Sequence, residues 1–433
     1  MIVESGRKKF SYGLEAGSEK NYVRLAYDAG VDASAVREIL SVTQGRPEII
    51  SLAGGLPDSD LFASEEFLEI IADYTNGKIR DYRGRTIKPG SMYQYAPTEG
   101  APYFVEKLKN WIDEEEDFGE FGKENMLVIS AAQQGLDIAA RAFISPCGKS
   151  TVIVGCPTYL AELNVLDGRS QNLEIVGIPL DEKGMQVEQI WELPREKLEK
   201  CGYIYVVPTF DNPAGTELSE KRRKELIDIS NEFGIPVIED EPYACLRYEG
   251  KKLHSIKHYD DIGCVLRLQT FSKMAAPGLR LGYVLGSTEL IAKMRVMLQN
   301  ATLCASSLSQ YIMAEFIGRD YIKEYWNRVI PVYRKRRNAM LEAMDSNLRE
   351  YGQWVKPKGG LFVWLRLNDI NGGDLFKAAI EKDVAIVKGS AFFPKCSDKK
   401  MHNSARLNFS KPREEMVREG IKRLAAACGE LSK

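Results

Sequence analysis

Seven short apolar runs, separated by stretches of helical periodicity, constrain this chain more than any other feature. They are Met126 to Ser130, Thr151 to Gly155, Leu173 to Ile178, Tyr203 to Val207, Ile235 to Glu239, Cys264 to Leu268 and Leu281 to Leu285. The runs are apolar on both faces, and helical stretches such as Ser219 to Phe233 lie between them. Strands buried on both faces need helices above and below them, so the alternation predicts an α/β fold with a mostly parallel, seven-stranded sheet. Such sheets bind ligands outside the carboxyl ends of their strands.

Polar groups cluster at those ends. The first run leads into Ala131-Ala132-Gln133-Gln134-Gly135, the start of a helix, where free N–H groups and the helix dipole favour an anion. Later runs lead into Pro157-Thr158-Tyr159, into Pro208 to Gly215 with its Asp211-Asn212-Pro213 turn, and into Asp240-Glu241-Pro242-Tyr243. The sixth run ends in TFSKMAAPGLRLGY, Thr270 to Tyr283. A lysine becomes an imine former where desolvation or a nearby cation lowers its pKa, and Met274 to Pro277 offer Lys273 an apolar wall. Thr270, Ser272 and Arg280 supply hydroxyls and a forked guanidinium, which suit a phosphate monoester. Alone, Lys273 equally fits an exposed loop lysine, and each turn fits ordinary loop chemistry. The pair Gly54-Gly55 fits a tight turn or a backbone that a ligand approaches closely.

The remaining features narrow the class. The net charge of -2 gives no electrostatic case for nucleic acid or a membrane surface, and neither an apolar leader nor an eighteen-residue apolar run occurs. Eight cysteines are scattered without a CxxC pair, which predicts a reducing cytoplasmic setting, and the three histidines show no metal-site spacing. No metal is expected. Asp32 to Thr43 has helical spacing, Asn76 to Met92 reads as an exposed basic loop, and the acidic run Asp113 to Asp117 reads as a solvated helix end.

The stretches FSKMAAPGLRLGY, DNPAG, IEDEPY, CPTY, QYAPTEG and ARLNFS resemble the motifs of fold type I aminotransferases that use pyridoxal 5'-phosphate (PLP). SLAGGLPDSDLF is similar to the branch with the kynurenine and 2-aminoadipate aminotransferases. The resemblance runs from about Arg37 to Phe409. It implies that Lys273 joins the cofactor as an imine and later shuttles the substrate Cα proton in ping-pong half reactions. It further implies that Asp240 pairs with the pyridine nitrogen, Asn212 and Tyr243 hydrogen-bond the phenolic oxygen, and Tyr159 stacks on the ring. Arg280, Thr270, Ser272, Gln133 and the helix start at Ala132 would hold the phosphate. Tyr95 would reach it from the neighbouring subunit of a homodimer. Arg406 would grip the substrate α-carboxylate, with Gly55 and Asn212 beside the substrate, and Arg37 would meet a distal carboxylate.

Some residues depart from the family pattern. Ala132 stands where a hydroxyl is usual, Asp211 and Ala214 flank the Asn-Pro pair, Lys388 replaces a common proline, and the basic loop is longer. The resemblance implies an amino-terminal segment, 1–60, joined to a small α+β domain, 322–433, around a large cofactor domain, 61–321. The expected reaction moves an amino group between an L-amino acid (2-aminoadipate, aromatic or branched-chain) and a 2-oxo acid such as 2-oxoglutarate. Two alternatives stay open here: a PLP lyase or decarboxylase on the same fold, and a cofactor-binding effector module.

Overall fold

The computed structural model describes residues 43, 45–167, 169, 172–394 and 402–432. In chain order the strands are β1 (Ile50–Ser51), β2 (Met126–Ile129), β3 (Ser150–Cys156), β4 (Leu173–Asp181), β5 (Gly184–Met185), β6 (Cys201–Val206) and β7 (Val237–Asp240). They continue with β8 (Val265–Thr270), β9 (Gly282–Leu285), β10 (Gly352–Gln353), β11 (Phe362–Leu367), β12 (Val384–Ala385), β13 (Val387–Lys388) and β14 (Ser404–Asn408).

The large sheet has the order β2-β9-β8-β7-β6-β3-β4-β5. The pairs from β8 through β7, β6 and β3 to β4 are parallel, whereas β9 and β5 run against their neighbours. All seven expected strands are present; the eighth, β5, was missed. It is a two-residue return of the β4 hairpin, too short to leave a periodic pattern.

Burial on both faces follows directly from the alternation of side chains. Val152, Val154, Tyr203, Tyr205, Ile238 and Leu268 pack into one core, and Ile153, Ile204, Val206, Val237 and Val265 into another on the opposite face. Helix Glu220–Phe233 covers the second face with Leu226 and Ile229. Ser219 caps its first turn and Gly234, left-handed at φ 65°, ends it. Helix Ala132–Phe143 covers the first face through Leu136 and Ile138. Gly135 lets its first turn sit close to the sheet, since a Cβ there would lie 2.8 Å from Ile129 Cδ1 and 2.9 Å from Leu268 Cδ2.

From β3 the chain goes to β4 on one side, then returns through β6 to β7 and β8 on the other. The order therefore reverses between β3 and β6, the place where a crevice opens at the strand ends. A second, antiparallel sheet, β10-β11-β14-β13, carries Arg406 on β14. β1 pairs in parallel with β12, which ties the segment before the large sheet to the strands after it. Tyr321–Asn347 is one long helix. Of the expected helix Asp32 to Thr43, only Thr43 is among the described residues.

Candidate active site

The loops after β3, β6, β7 and β8, together with Ala53 to Leu56 and Arg406, enclose a cavity of ≈540 Å³. Ala132, Gln133, Tyr159, Asn212, Asp240, Tyr243, Thr270, Ser272, Lys273, Arg280, Arg406 and Gly55 all line it. Twelve residues drawn from across the chain thus meet because the sheet order reverses beside them.

Lys273 follows the end of β8 by three residues, between buried Phe271 and Met274. Burial, then the positive charges of Arg280 and Arg406, push its amine down to about 8. Asp240 ends β7 and is buried at 2 % exposure. Its Oδ2 accepts from the Tyr205 hydroxyl at 3.0 Å, while Oδ1 has no hydrogen-bond partner. Burial raises this carboxyl to about 7, opposed by the Tyr205 hydrogen bond and aided by the Glu241 charge.

On the β8 side, Thr270 Oγ1 donates to Ser272 Oγ at 2.9 Å and accepts from the Ser272 backbone N–H at 3.2 Å. Arg280 Nη1 donates to Ser272 Oγ at 3.3 Å. Arg280 holds a left-handed backbone, φ 45°, a conformation that costs a non-glycine residue about 1 kcal/mol or more and persists where the surroundings fix it. The first turn of helix Ala132–Phe143, with Ala132 and Gln133, lines the same cavity as these hydroxyls.

Across the cavity, Arg406 lies between two aromatic rings, 4.2 Å from the Phe362 centroid and 5.1 Å from that of Phe392. Its Nη1 donates to Asn212 Oδ1 at 2.9 Å and its Nη2 to the Ala53 carbonyl at 2.8 Å, and Nε has no partner. Burial lowers its pKa to about 10, the Tyr243 and Tyr159 hydroxyls acting against that. Asn212 also donates to Tyr243 Oη at 3.4 Å, so one amide links the arginine to the tyrosine. Burial raises Tyr159 to about 12, so its phenol stays protonated. Gly55 sits where a Cβ would come 3.3 Å from Phe362 Cζ and 3.8 Å from Arg406 Nη2, so this turn lies against the arginine.

One described candidate is not among the residues that line this cavity: Tyr95, which is 78 % exposed. Arg37 lies outside the described residues. The basic loop also stays apart: Arg80 bonds the Gly77 carbonyl, Arg85 pairs with Asp81, and Arg83 stacks on Tyr82. Sequence reading missed Tyr205, the carbonyl of Ala53, the rings of Phe362 and Phe392, and Lys411 at the cavity wall. The period of two in Tyr203-Ile204-Tyr205 was the available signal for Tyr205. One departure acquires a reason: Asp211 Oδ1 accepts from the Ala214 N–H at 3.0 Å, so the two altered residues close the DNPAG turn on each other.

These residues fit PLP. The cavity is lined by a buried carboxyl group with one unpartnered oxygen, a lysine whose amine is depressed, and a hydroxyl pair with an arginine together with a helix start. A family model for aminotransferase class I and II matches residues 73–424. The chain is 36% identical over 406 residues to aromatic-amino-acid aminotransferase 1 of Thermococcus litoralis, covering 93% of each. It is 31% identical over 401 residues to the 2-aminoadipate transaminase of Thermus thermophilus, covering 92% of this chain and 94% of that one. The crystal structure of a Pyrococcus horikoshii kynurenine aminotransferase superposes with a TM-score of 0.86 at 34% identity, covering 95% of this chain and 99% of that one. The chain belongs to the class I and II aminotransferases. It is a PLP-dependent enzyme of fold type I that moves an amino group between amino acids and 2-oxo acids; the lyase and effector-module alternatives are not favoured.

Proposed function

We propose that this enzyme accepts both aromatic or aliphatic and dicarboxylic amino acids, 2-aminoadipate among them, with a 2-oxo acid such as 2-oxoglutarate as amino acceptor. The observation that carries this is the cavity wall. Ile49, Leu56, Leu160 and Phe362 offer apolar surface, and Lys411 adds a cation with no ion-pair partner among the described residues. The named relatives, acting on aromatic amino acids and 2-aminoadipate, support the same breadth.

When bound, PLP supplies the carbonyl that takes up the amino group and a ring able to accept the electron pair released at Cα. Arg406 would bind the α-carboxylate with both Nη atoms, its plane fixed by Phe362 and Phe392. Lys273, with an amine near pKa 8, would take the proton from the substrate Cα and return it on the other side of the transfer. Asp240 would present Oδ1 to the ring N–H and keep that proton in place. Arg280, Thr270, Ser272, Gln133 and the N–H groups at Ala132 would hold the phosphate, Asn212 and Tyr243 the phenolic oxygen, and Tyr159 one face of the ring. Tyr95, exposed beside Tyr93, would complete the site of a second copy, in a cytoplasmic homodimer whose large domain spans 61–321. An active monomer in sedimentation would remove that part of the reading.

The deciding experiment gives the enzyme a panel of amino acids with 2-oxoglutarate and follows the cofactor spectrum and the new oxo acid together. Stoichiometric oxo acid from aromatic and dicarboxylic donors is expected, and borohydride should fix the label on Lys273. Amine or alkene products, or a label on another lysine, would overturn it.

A further inference from the structure

Asp240 is not held by a cation. The titratable groups that face it are Tyr205 from β6, Tyr159 and Glu162 after β3, Asp211 and Tyr243 in neighbouring loops, and Glu241 next in the chain. None of these is positive. Of the six, Tyr205 alone stabilises the ionised carboxylate by hydrogen bonding, through its hydroxyl at 3.0 Å from Oδ2.

Tyr205 and Tyr203 sit two apart on β6 and project from the same face, and both are fully buried. Each serves a carboxyl group: Tyr203 donates to Glu162 Oε1 at 2.6 Å as Tyr205 does to Asp240. Burial raises Glu162 to about 8, so at neutral pH it is a neutral acid and adds no second negative charge beside Asp240. Burial likewise keeps the Tyr205 phenol protonated, so toward the carboxylate it acts as a donor. A carboxylate can turn about its Cβ–Cγ bond and exchange its oxygens. With Oδ2 accepting from Tyr205, Oδ1 is the oxygen left without a partner on a residue that lines the cavity.

We propose that Tyr205 is a positioning residue for the known reaction: it fixes which oxygen of Asp240 meets the cofactor's ring nitrogen and holds the charge on that carboxylate. This rests on the reading of Asp240 as the partner of the ring nitrogen. Removal of the hydroxyl favours the protonated carboxyl, which cannot accept the ring proton. Activity is then lost at a higher pH on the acid side.

The test is Tyr205→Phe in the holoenzyme, with Tyr203→Phe as the neighbour control. We expect kcat to fall about tenfold with little change in KM for the amino donor, the value of one hydrogen bond to a charged group. The acid limb of the kcat profile should move to higher pH, and the apoenzyme should reconstitute with PLP about tenfold more weakly. Tyr203→Phe should leave the acid limb where it is. A Tyr205→Phe enzyme with the parent's acid limb and reconstitution affinity overturns the proposal. A cycle with Asp240→Asn guards against a poorly folded variant: if Tyr205 acts through Asp240, its substitution adds no further loss in the Asn background, and additive losses sink the idea. Should Asp240→Ala alone keep full turnover and the parent spectrum, the reading of Asp240 fails instead, whatever Tyr205 does.

Discussion

Three consecutive acids, Glu239, Asp240 and Glu241, lie at one strand end and meet two different environments. Glu239 accepts from the backbone N–H groups of Ile256 at 2.6 Å and Lys257 at 3.0 Å, with Arg267 and Arg223 close enough to oppose the cost of its burial. Glu241 accepts from Thr209 Oγ1 at 2.8 Å and lies 3.6 Å from Arg223 Nη1. Arg223, itself fully buried, also donates to the carbonyls of Leu218, Pro208 and His254. Asp240 points the other way, into the cavity, with a phenol for company and no arginine. The protein therefore supplies cations to the acids that hold its architecture together and withholds one from the acid between them. A carboxylate already paired inside the protein would have little left to offer a protonated ring.

Breaking the structural side should give the largest effect. Arg223→Met leaves Glu241 buried without its nearest cation, and losing one partner of a buried pair costs about 3–5 kcal/mol. Glu241, already raised to about 7 chiefly by burial and Glu239, would rise further. An acid whose folded pKa exceeds its unfolded value binds more protons in the native state, so its stability is lost as pH rises. The penalty of Arg223→Met should thus be smaller near pH 4.5, where the unpaired carbonyls alone are felt, and grow toward its full value above pH 7. Denaturant melts at the two ends of that range check it, and an equal loss at both would contradict the assignment.

The functional side should respond in kinetics and not in stability. Asp240→Ala removes a buried charge that no cation offsets, so the folded state should lose little. Turnover should fall on the order of 10²-fold, as when a group that acts in the transition state is removed. An Asp240→Ala protein that melts several kcal/mol more easily, or that turns over normally, would erase the contrast between the two sides.

Sequence made much of this visible because its signals are local. The apolar runs located seven strands to within three residues, and turns in the sequence named eleven of the twelve residues that share the cavity, Arg406 coming only from the family resemblance. What stayed hidden depends on partners remote in the chain. Tyr205 reads as apolar filler in a strand, and only pairing of β6 with β7 sets its hydroxyl against a carboxylate 35 residues on. The Ala53 carbonyl that receives Arg406 carries no sequence mark at all, being backbone 353 residues away. Phe362 and Phe392 look like core, and flank Arg406 because β14 is paired with β11, which carries Phe362, and with β13, which leads into Phe392.

The smallest expected effect concerns how the cavity reads the far end of a substrate. Among the described residues, five cations line it: Arg46, Lys273, Arg280, Arg406 and Lys411. Arg46 is engaged by Glu48 at 2.9 Å and Asp383 at 2.8 Å, and the proposed function occupies Lys273, Arg280 and Arg406. Lys411 remains, in a turn anchored by Ser410, whose hydroxyl donates to the Leu56 carbonyl at 2.7 Å. Its exposure and flexible stem limit what it can contribute to about 1 kcal/mol or less, or up to roughly fivefold in kcat/KM. Lys411→Gln should therefore lose about that factor with glutamate or 2-oxoglutarate and almost none with leucine or an aromatic donor. Arg37→Gln is the companion measurement. A loss of tenfold to a hundredfold confined to dicarboxylic substrates there would show a more desolvated contact, worth ~1.5–3 kcal/mol, and make Lys411 secondary. If both variants lower the two substrate classes equally, neither residue reads the distal carboxylate, and the preference for acids would have to come from Arg406 and the cavity's overall positive charge.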